Sequence, residues 1–299
     1  MKSRLERWVE QCIGRHLVVD RSVKGGRTVI EVIDNEGGRW FAKQVDREFD
    51  WIVETSAYEN LRGALGGRIP TLRAADADLL TLLISAVAGV HPSPYDLAAN
   101  RKAGRVLRMI HESQPGKPGA VPLGQRTSQR LAAILARNPP GLFSEEEKAF
   151  IWERTRKMAR VAHPPEVPCH GDYMSYNWLV GQAGTLRVID FGHARWHVPA
   201  FDLTRLYFGP WWNRPHLALA FLRGYGRTLD RDELQFIRLH LVTNAVNRVC
   251  DGHARRATDQ ESFGRERLRQ LMTGQTISMP GLPRGQSESP IRAEDSLRS

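Results

Sequence analysis

Two short stretches decide how this chain is read: Cys169-His170-Gly171-Asp172-Tyr173-Met174-Ser175-Tyr176-Asn177 and, shortly after, Val188-Ile189-Asp190-Phe191-Gly192. Asp172 and Asn177 stand five positions apart, and Asp190 follows Asp172 by 18. The chemistry that uses such a set is phosphoryl transfer. It needs a carboxylate that holds the attacking hydroxyl and takes its proton, oxygen ligands for Mg²⁺ on the nucleotide phosphates, and a cation on the other side of those phosphates. Asp172 suits the first task. Asn177 and Asp190 offer hard oxygen atoms, the kind Mg²⁺ takes while keeping several waters. Asp190 also closes an apolar run, where a carboxylate is costly unless it has a charge to meet.

Upstream, the cation is Lys43, in a run that reads as a strand. Residues 2–14 read as an amphipathic helix with Leu5, Trp8, Val9 and Cys12 on one face. Residues 16–23, 28–33 and 39–45 are β-branched or alternating, and the turns Lys24-Gly25-Gly26-Arg27 and Asn35-Glu36-Gly37-Gly38 divide them. Gly25-Gly26 fits a plain hairpin turn and a loop covering nucleotide phosphates equally well. A helix follows at 50–65, stopped by Gly66-Gly67. Its Glu54 is placed to pair with Lys43 and hold it extended. Residues 70–75 and 79–86 read as two more strands. The first 88 residues are therefore expected to form a small antiparallel sheet with one helix inserted after its third strand.

The character changes after Gly89. Residues 97–112, 128–137 and 145–162 have helical patterns, the last opened by Ser144 and three glutamates, which suit a helix start. A Pro/Gly-rich loop fills 114–124. Residues 167–199 are irregular, with strand-like pieces at 178–180 and 186–189, and 201–269 is mostly helical. Residues 273–299 are poor in apolar side chains and are expected to be disordered. The fold class is α+β, divided as 1–88, a mainly helical 89–272, and a tail from 273.

Together these features resemble the aminoglycoside phosphotransferase family, within the protein-kinase-like fold. His170, Gly171, Asp172 and Asn177 match its H-G-D-x-x-x-x-N loop, and Ile189 to Gly192 match its I-D-[FW]-G strand end. Lys43 matches the strand-three lysine and Glu54, with Leu61, the helix glutamate. Pro70 to Leu72, Ile110-His111 and Asp202-Leu203 match further family positions, and the likeness covers roughly residues 16–250. It implies two lobes with the site between them, and transfer of the γ-phosphate of ATP, with Mg²⁺, to a hydroxyl of a small molecule, an antibiotic or related metabolite. Asp172 would position and deprotonate the acceptor, Asn177 and Asp190 would hold the metal, and His170 would support the loop by hydrogen bonding. Ser85 and Val87, in the connection between lobes, would offer backbone groups to the adenine edge. A catalytically silent, kinase-like ligand-binding or scaffold protein is the alternative, and every catalytic residue type is present against it.

Charge bears on the acceptor. The chain has 299 residues, 43 Lys plus Arg against 33 Asp plus Glu, and a net charge of +10. Residues 1–90 hold 13 of each sign and 273–299 hold three of each, so 91–272, with 27 basic and 17 acidic side chains, carry the whole excess. Aminoglycosides are polycations. A basic half favours a neutral or anionic hydroxyl compound instead, unless Asp202, Asp230, Asp232, Glu233 and Asp251 gather into an acidic pocket. No run of five like charges and no nucleic-acid motif occurs, so nucleic acid is not an expected partner. Cys12, Cys169 and Cys250 are too scattered for a disulfide scaffold or a zinc module. The longest apolar stretch, 79–90, is too short to span a bilayer. A soluble cytoplasmic protein of unspecified oligomeric state is expected. His193 and His197, four apart, lack a third metal ligand, and Trp211-Trp212 is a candidate cleft lining in which at least one ring belongs to the core.

Overall fold

Strand alternation sets the layering of the N-terminal part. In the computed structural model, which describes residues 3–24 and 27–274, the strands are β1 (His16–Lys24), β2 (Arg27–Asp34), β3 (Arg39–Gln44), β4 (Leu72–Asp76) and β5 (Thr81–Ser85). They form one antiparallel sheet in the order β1-β2-β3-β5-β4. Asp34 makes the β2–β3 turn, its Oδ1 accepting from the N–H groups of Glu36 and Gly38 at 2.9 and 2.7 Å. Successive side chains of β5 face opposite ways. Leu82 and Ile84 pack with Ala57, Tyr58 and Leu61 of α2 (Glu48–Leu65), while Leu83 packs with Leu5, Trp8 and Val9 of α1 (Arg4–Ile13). The inserted helix α2 thus covers one face of the sheet and the amphipathic α1 covers the other.

The rest is mainly helical: α3 (Leu97–His111), α4 (Leu123–Ala136), α5 (Glu145–Met158), α6 (Phe201–Phe208), α7 (Pro215–Tyr225), α8 (Arg231–Ala254) and α9 (Thr258–Met272). Asp96 caps α3, and capping boxes start α5 (Ser144 with Glu147) and α8 (Asp230 with Glu233). Helix α4 begins five residues before the expected 128. Pro122 stands at its cap, and buried Leu123 and Gly124 form a first turn that looks like loop in the sequence. Residues 167–199 hold two short antiparallel pairs. β7 (Trp178–Val180) with β8 (Leu186–Val188) is the expected one. β6 (Val167–Cys169) with β9 (Arg195–His197) was not expected, because three-residue strands, one containing Pro168, carry no alternation to read.

A row of rings joins the parts. Tyr58 of α2 meets Phe191 edge-on at 5.4 Å, Phe191 lies 4.6 Å from His170, His170 lies 5.5 Å from Tyr173, and Tyr173 lies 6.2 Å from Phe221 of α7. Trp211 and Trp212 are both buried core residues. Among the described residues no helix is long and apolar enough to cross a membrane. Gly25-Gly26 and residues 275–299, most of the expected tail, lie outside the described residues.

Helices α3 and α7 approach until backbone meets backbone. A Cβ on Gly224 would lie 1.8 Å from the Arg101 carbonyl oxygen, and one on Gly104 would lie 2.0 Å from that of Phe221. Gly224→Ala is therefore expected to force the helices apart and cost at least ~1–3 kcal/mol. Urea denaturation checks this, and an unchanged midpoint would contradict the close crossing.

Candidate active site

The loop 170–177 has little regular structure, so its backbone donors need partners from elsewhere. Asp202, at the start of α6, supplies them. Its Oδ2 accepts from the His170 N–H at 2.8 Å and its Oδ1 from the Gly171 N–H at 2.7 Å. His111 adds an Nε2 contact to Oδ2 at 3.1 Å, and its Nδ1 lies 2.8 Å from the Tyr225 hydroxyl. Burial pushes the Asp202 carboxyl up, but the His111 hydrogen bond and charge and the backbone donors outweigh it and hold it below the usual range. His111, Cys169 and Asp202 form the one buried group of possible metal ligands among the described residues. The Asp202 oxygens are already engaged, and burial pushes the Cys169 thiol well up, away from the thiolate a nucleophile or metal ligand needs. Gly171 has φ +80, and a Cβ there would meet the His193 carbonyl oxygen at 2.0 Å. His170 faces inward: Nε2 meets the Ile189 carbonyl at 3.1 Å, and Nδ1 accepts from the Asp172 N–H at 3.3 Å. The ring braces the loop, with its tautomer assigned from these partners.

Asp172 comes out of this loop with its two oxygens differently engaged. Oδ1 accepts from the Tyr176 hydroxyl at 2.6 Å and from Arg205. Oδ2 has one long contact, 3.4 Å from Asn177 Nδ2. Asn177 Nδ2 also donates to the Asp172 carbonyl at 2.9 Å, which leaves Asn177 Oδ1 as the open end of the amide. The Ile189 N–H donates to the Asn177 carbonyl at 3.0 Å, tying the two motifs side by side. Neither Tyr176 nor Arg205 was picked out from the sequence. The available signals were a tyrosine inside the motif, four residues after Asp172, and an arginine three residues after Asp202 on one helix face.

Lys43 of β3 and Glu54 of α2 meet at 2.5 Å, and the same Lys43 Nζ reaches Asp190 Oδ1 at 3.0 Å. Burial works to lower the Lys43 ammonium, but the two carboxylates outweigh it and raise it. Burial likewise works to raise Asp190, and Lys43 outweighs it and lowers it. Asp190 has φ 64, a left-handed conformation that aspartate tolerates better than most residues. Its side chain keeps 38% exposure, against 1% for Glu54, so Asp190 is the open member of the pair. Asn177 Oδ1 and the Asp190 carboxylate are hard oxygen donors with lone pairs to spare, a set that fits Mg²⁺.

Strand β5 ends at Ser85. The N–H of Ser85 donates to the Thr71 carbonyl and its Oγ accepts from the Thr71 N–H, both at 2.9 Å, and the Ala86 N–H donates to the Arg39 carbonyl. Ser85 thus has its N–H and hydroxyl committed, and Val87 lies beyond the ladder. Beside Asp172 opens a pocket of about 620 Å³ lined by Gly171, Arg205, His240, Arg248 and others, but by neither Lys43 nor Asp190. Of the five acids considered for an acidic pocket, only Asp202 and Asp251 line it. Asp230 and Glu233 instead form the α8 capping box, and Glu233 also pairs with Arg227. His193 stands exposed at this pocket while His197 is buried and stacked 4.1 Å from Phe201, so the two do not converge.

Asp202 lies below its ordinary 3.8 in the folded state. Its stabilisation is present above that value and is lost as pH falls through the lower folded value. Asp202→Asn is expected to cost about 3–5 kcal/mol near neutral pH. It is also expected to flatten the loss of stability below pH ~4. Urea midpoints from pH 7 to pH 2 check both, and an equally steep acid limb in the variant would contradict the assignment.

A model of the phosphotransferase enzyme family matches residues 22–237. No curated protein sequence matches the chain. Among solved structures, APH(2")-IIia in complex with GDP and kanamycin is 15% identical, with a TM-score of 0.66 over 91% of this chain and 99% of that one. The macrolide 2'-phosphotransferase MphH from Brachybacterium faecium is 14% identical, with a TM-score of 0.64 over 88% and 97%. Choline kinase LicA from Streptococcus pneumoniae is 12% identical, with a TM-score of 0.65 over 91% and 98%. At such identities the likeness shows the fold, which is α+β, two-lobed and protein-kinase-like. The family match spans well over half of the chain, and the chain belongs to the phosphotransferase enzyme family.

Proposed function

We propose that this protein is a nucleotide- and Mg²⁺-dependent kinase that phosphorylates a hydroxyl of a small molecule, with ATP as the donor. The observation that carries the reading is the Lys43 ammonium held between Glu54 and Asp190, beside a loop that presents Asp172 and Asn177. The sheet and α1–α2 form the nucleotide side (1–88), and 89–272 form the acceptor side.

Each residue then has a task. Lys43, kept extended by Glu54, contacts the nucleotide phosphates, and Val87 meets the adenine edge. Gly25-Gly26 would cover the phosphates. Asn177 Oδ1 and Asp190 would hold Mg²⁺, which would supply charge neutralisation on the phosphate oxygens. Asp172 receives the acceptor hydroxyl at Oδ2, because Tyr176 and Arg205 already occupy Oδ1. Burial raises the Tyr176 hydroxyl, so it stays a donor and fixes the carboxylate's orientation. The acceptor oxygen bonds to the terminal phosphorus as the bond from that phosphorus to its bridging oxygen breaks. The electron pair leaves with the nucleoside diphosphate, and the proton passes to Asp172.

A coupled assay of nucleoside diphosphate release with ATP and Mg²⁺, over a panel of hydroxylated compounds, tests this. Asp172→Ala is expected to cut acceptor-dependent turnover by about 10²-fold or more while nucleotide still raises Tm. Lys43→Ala is expected to remove the nucleotide-induced rise in Tm. Full turnover in Asp172→Ala would overturn the assignment.

A further inference from the structure

The pocket beside Asp172 gathers an excess of basic side chains around one cavity. Arg130, Arg137, Arg195, Arg205, Arg248 and Arg255 line it, against three carboxylates. Of those three, Asp202 is spent on the loop and Asp172 is held by Arg205 and Tyr176. The third, Asp251, makes no ion pair among the described residues; arginines outside the pocket sit on acids in some places, as in Arg126–Glu166 and Arg227–Glu233, and stand without an acid in others, as at Arg101 and Arg223. Among the described residues Arg130, Arg137, Arg195 and Arg255 have no ion pair, and Arg248 meets only the neutral Gln260, at 3.3 Å. Two further polar groups wait in the same wall. His240 is buried with Nδ1 lacking a hydrogen-bond partner, and Asn244 Nδ2 is buried and equally unmet.

We propose that the acceptor is an anionic small molecule, an alcohol that carries a phosphate or carboxylate of its own, which this arginine wall binds while its hydroxyl meets Asp172. The inference rests on the phosphotransferase reading and narrows its substrate class. The guanidinium fork matches the geometry of both oxyanions. The pocket's field is felt at its floor: burial, then Arg130 and Arg195, push His240 down to about 3, so the ring stays neutral beside them. Reduced hydration and then the charge on Arg195 lower Arg130, and they outweigh the opposing pull of Asp251 across the same pocket. A polycation would meet this repulsion, whereas an anion relieves it.

The test is turnover with ATP and Mg²⁺ over glucose 6-phosphate, glycerol 3-phosphate, glycerate, their neutral parents glucose and glycerol, and kanamycin. It is run on the full chain and on Arg130→Gln and Arg195→Gln. Turnover is expected for phosphorylated or carboxylated members, and these two arms separate the oxyanions. The KM for the active member is expected to rise about tenfold or more in each variant, with nucleotide affinity unchanged. Arg130→Gln is expected to fold with a Tm equal to or above the parent's, since it removes a charge that repels Arg195, and Arg195→Gln, which gives up contacts with the His193 carbonyl and the Phe201 ring, is expected to fold with a lower Tm. Preferential turnover of kanamycin, glucose or glycerol overturns the anionic acceptor and leaves the kinase reading standing. Absence of any nucleotide-induced rise in Tm is instead the failure of that reading. Should no member turn over, titration calorimetry with glucose 6-phosphate decides. Heat of binding that Arg130→Gln weakens supports the wall as an oxyanion site, and its absence overturns it.

Discussion

The site depends on one buried carboxylate. A loop that must present Asp172 and Asn177 to solvent cannot also be a strand or a helix, so its amide donors have no ladder to join. Asp202 meets two of them at once and remains ionised while fully enclosed, because those donors and His111 replace the water it has lost. The anchor also fixes relative positions. His111 comes from α3, its other partner Tyr225 from α7, and Asp202 itself from α6, so one charge locks three helices to the loop. Arg205, one turn along α6, is thereby aimed at Asp172. The α3–α7 contact made by Gly104 and Gly224 belongs to the same device, since it sets how close Tyr225 comes to His111.

The N-terminal part solves a different problem. Lys43 is costly to bury unless two carboxylates compensate it. Glu54 lies on α2 and Asp190 lies beyond the loop, so the ion pairs form when sheet, helix and loop are all in register. The ring row from Tyr58 through Phe191 to His170 runs alongside and joins the same elements by apolar contact. Charge and packing therefore report on one geometry, which is how the sheet, α2 and the loop are held together.

Residues close in sequence, or bearing scarce chemistry, were the legible ones. The nearness of Asp172, Asn177 and Asp190 was legible from spacing, and the structure joins the two segments through the Ile189 N–H and the Asn177 carbonyl. The strands followed from β-branched alternation. Helix α4 starts earlier than its sequence pattern indicates, because Pro122 and Gly124 look like loop residues even when they open a helix. The β6–β9 pair is too short to carry a period. Tyr176 stood inside the quoted motif, and a tight turn that returns it to Asp172 is set by backbone geometry that composition does not encode. The arginine wall was the least legible feature, since its members come from α4, β9, α6, α8 and the residues that cap α4 and α8, and no sequence window contains them together.

Segment charge located the excess but not its purpose. A surplus spread over a solvated face would be screened within about one Debye length and would say little about ligands. The fold instead gathers six arginines around one cavity and leaves them short of acids, and the same cavity opens onto Asp172. The concentration of unpaired arginines is what would let an anionic acceptor approach, and it is the feature that separates this pocket from one built for a polyamine.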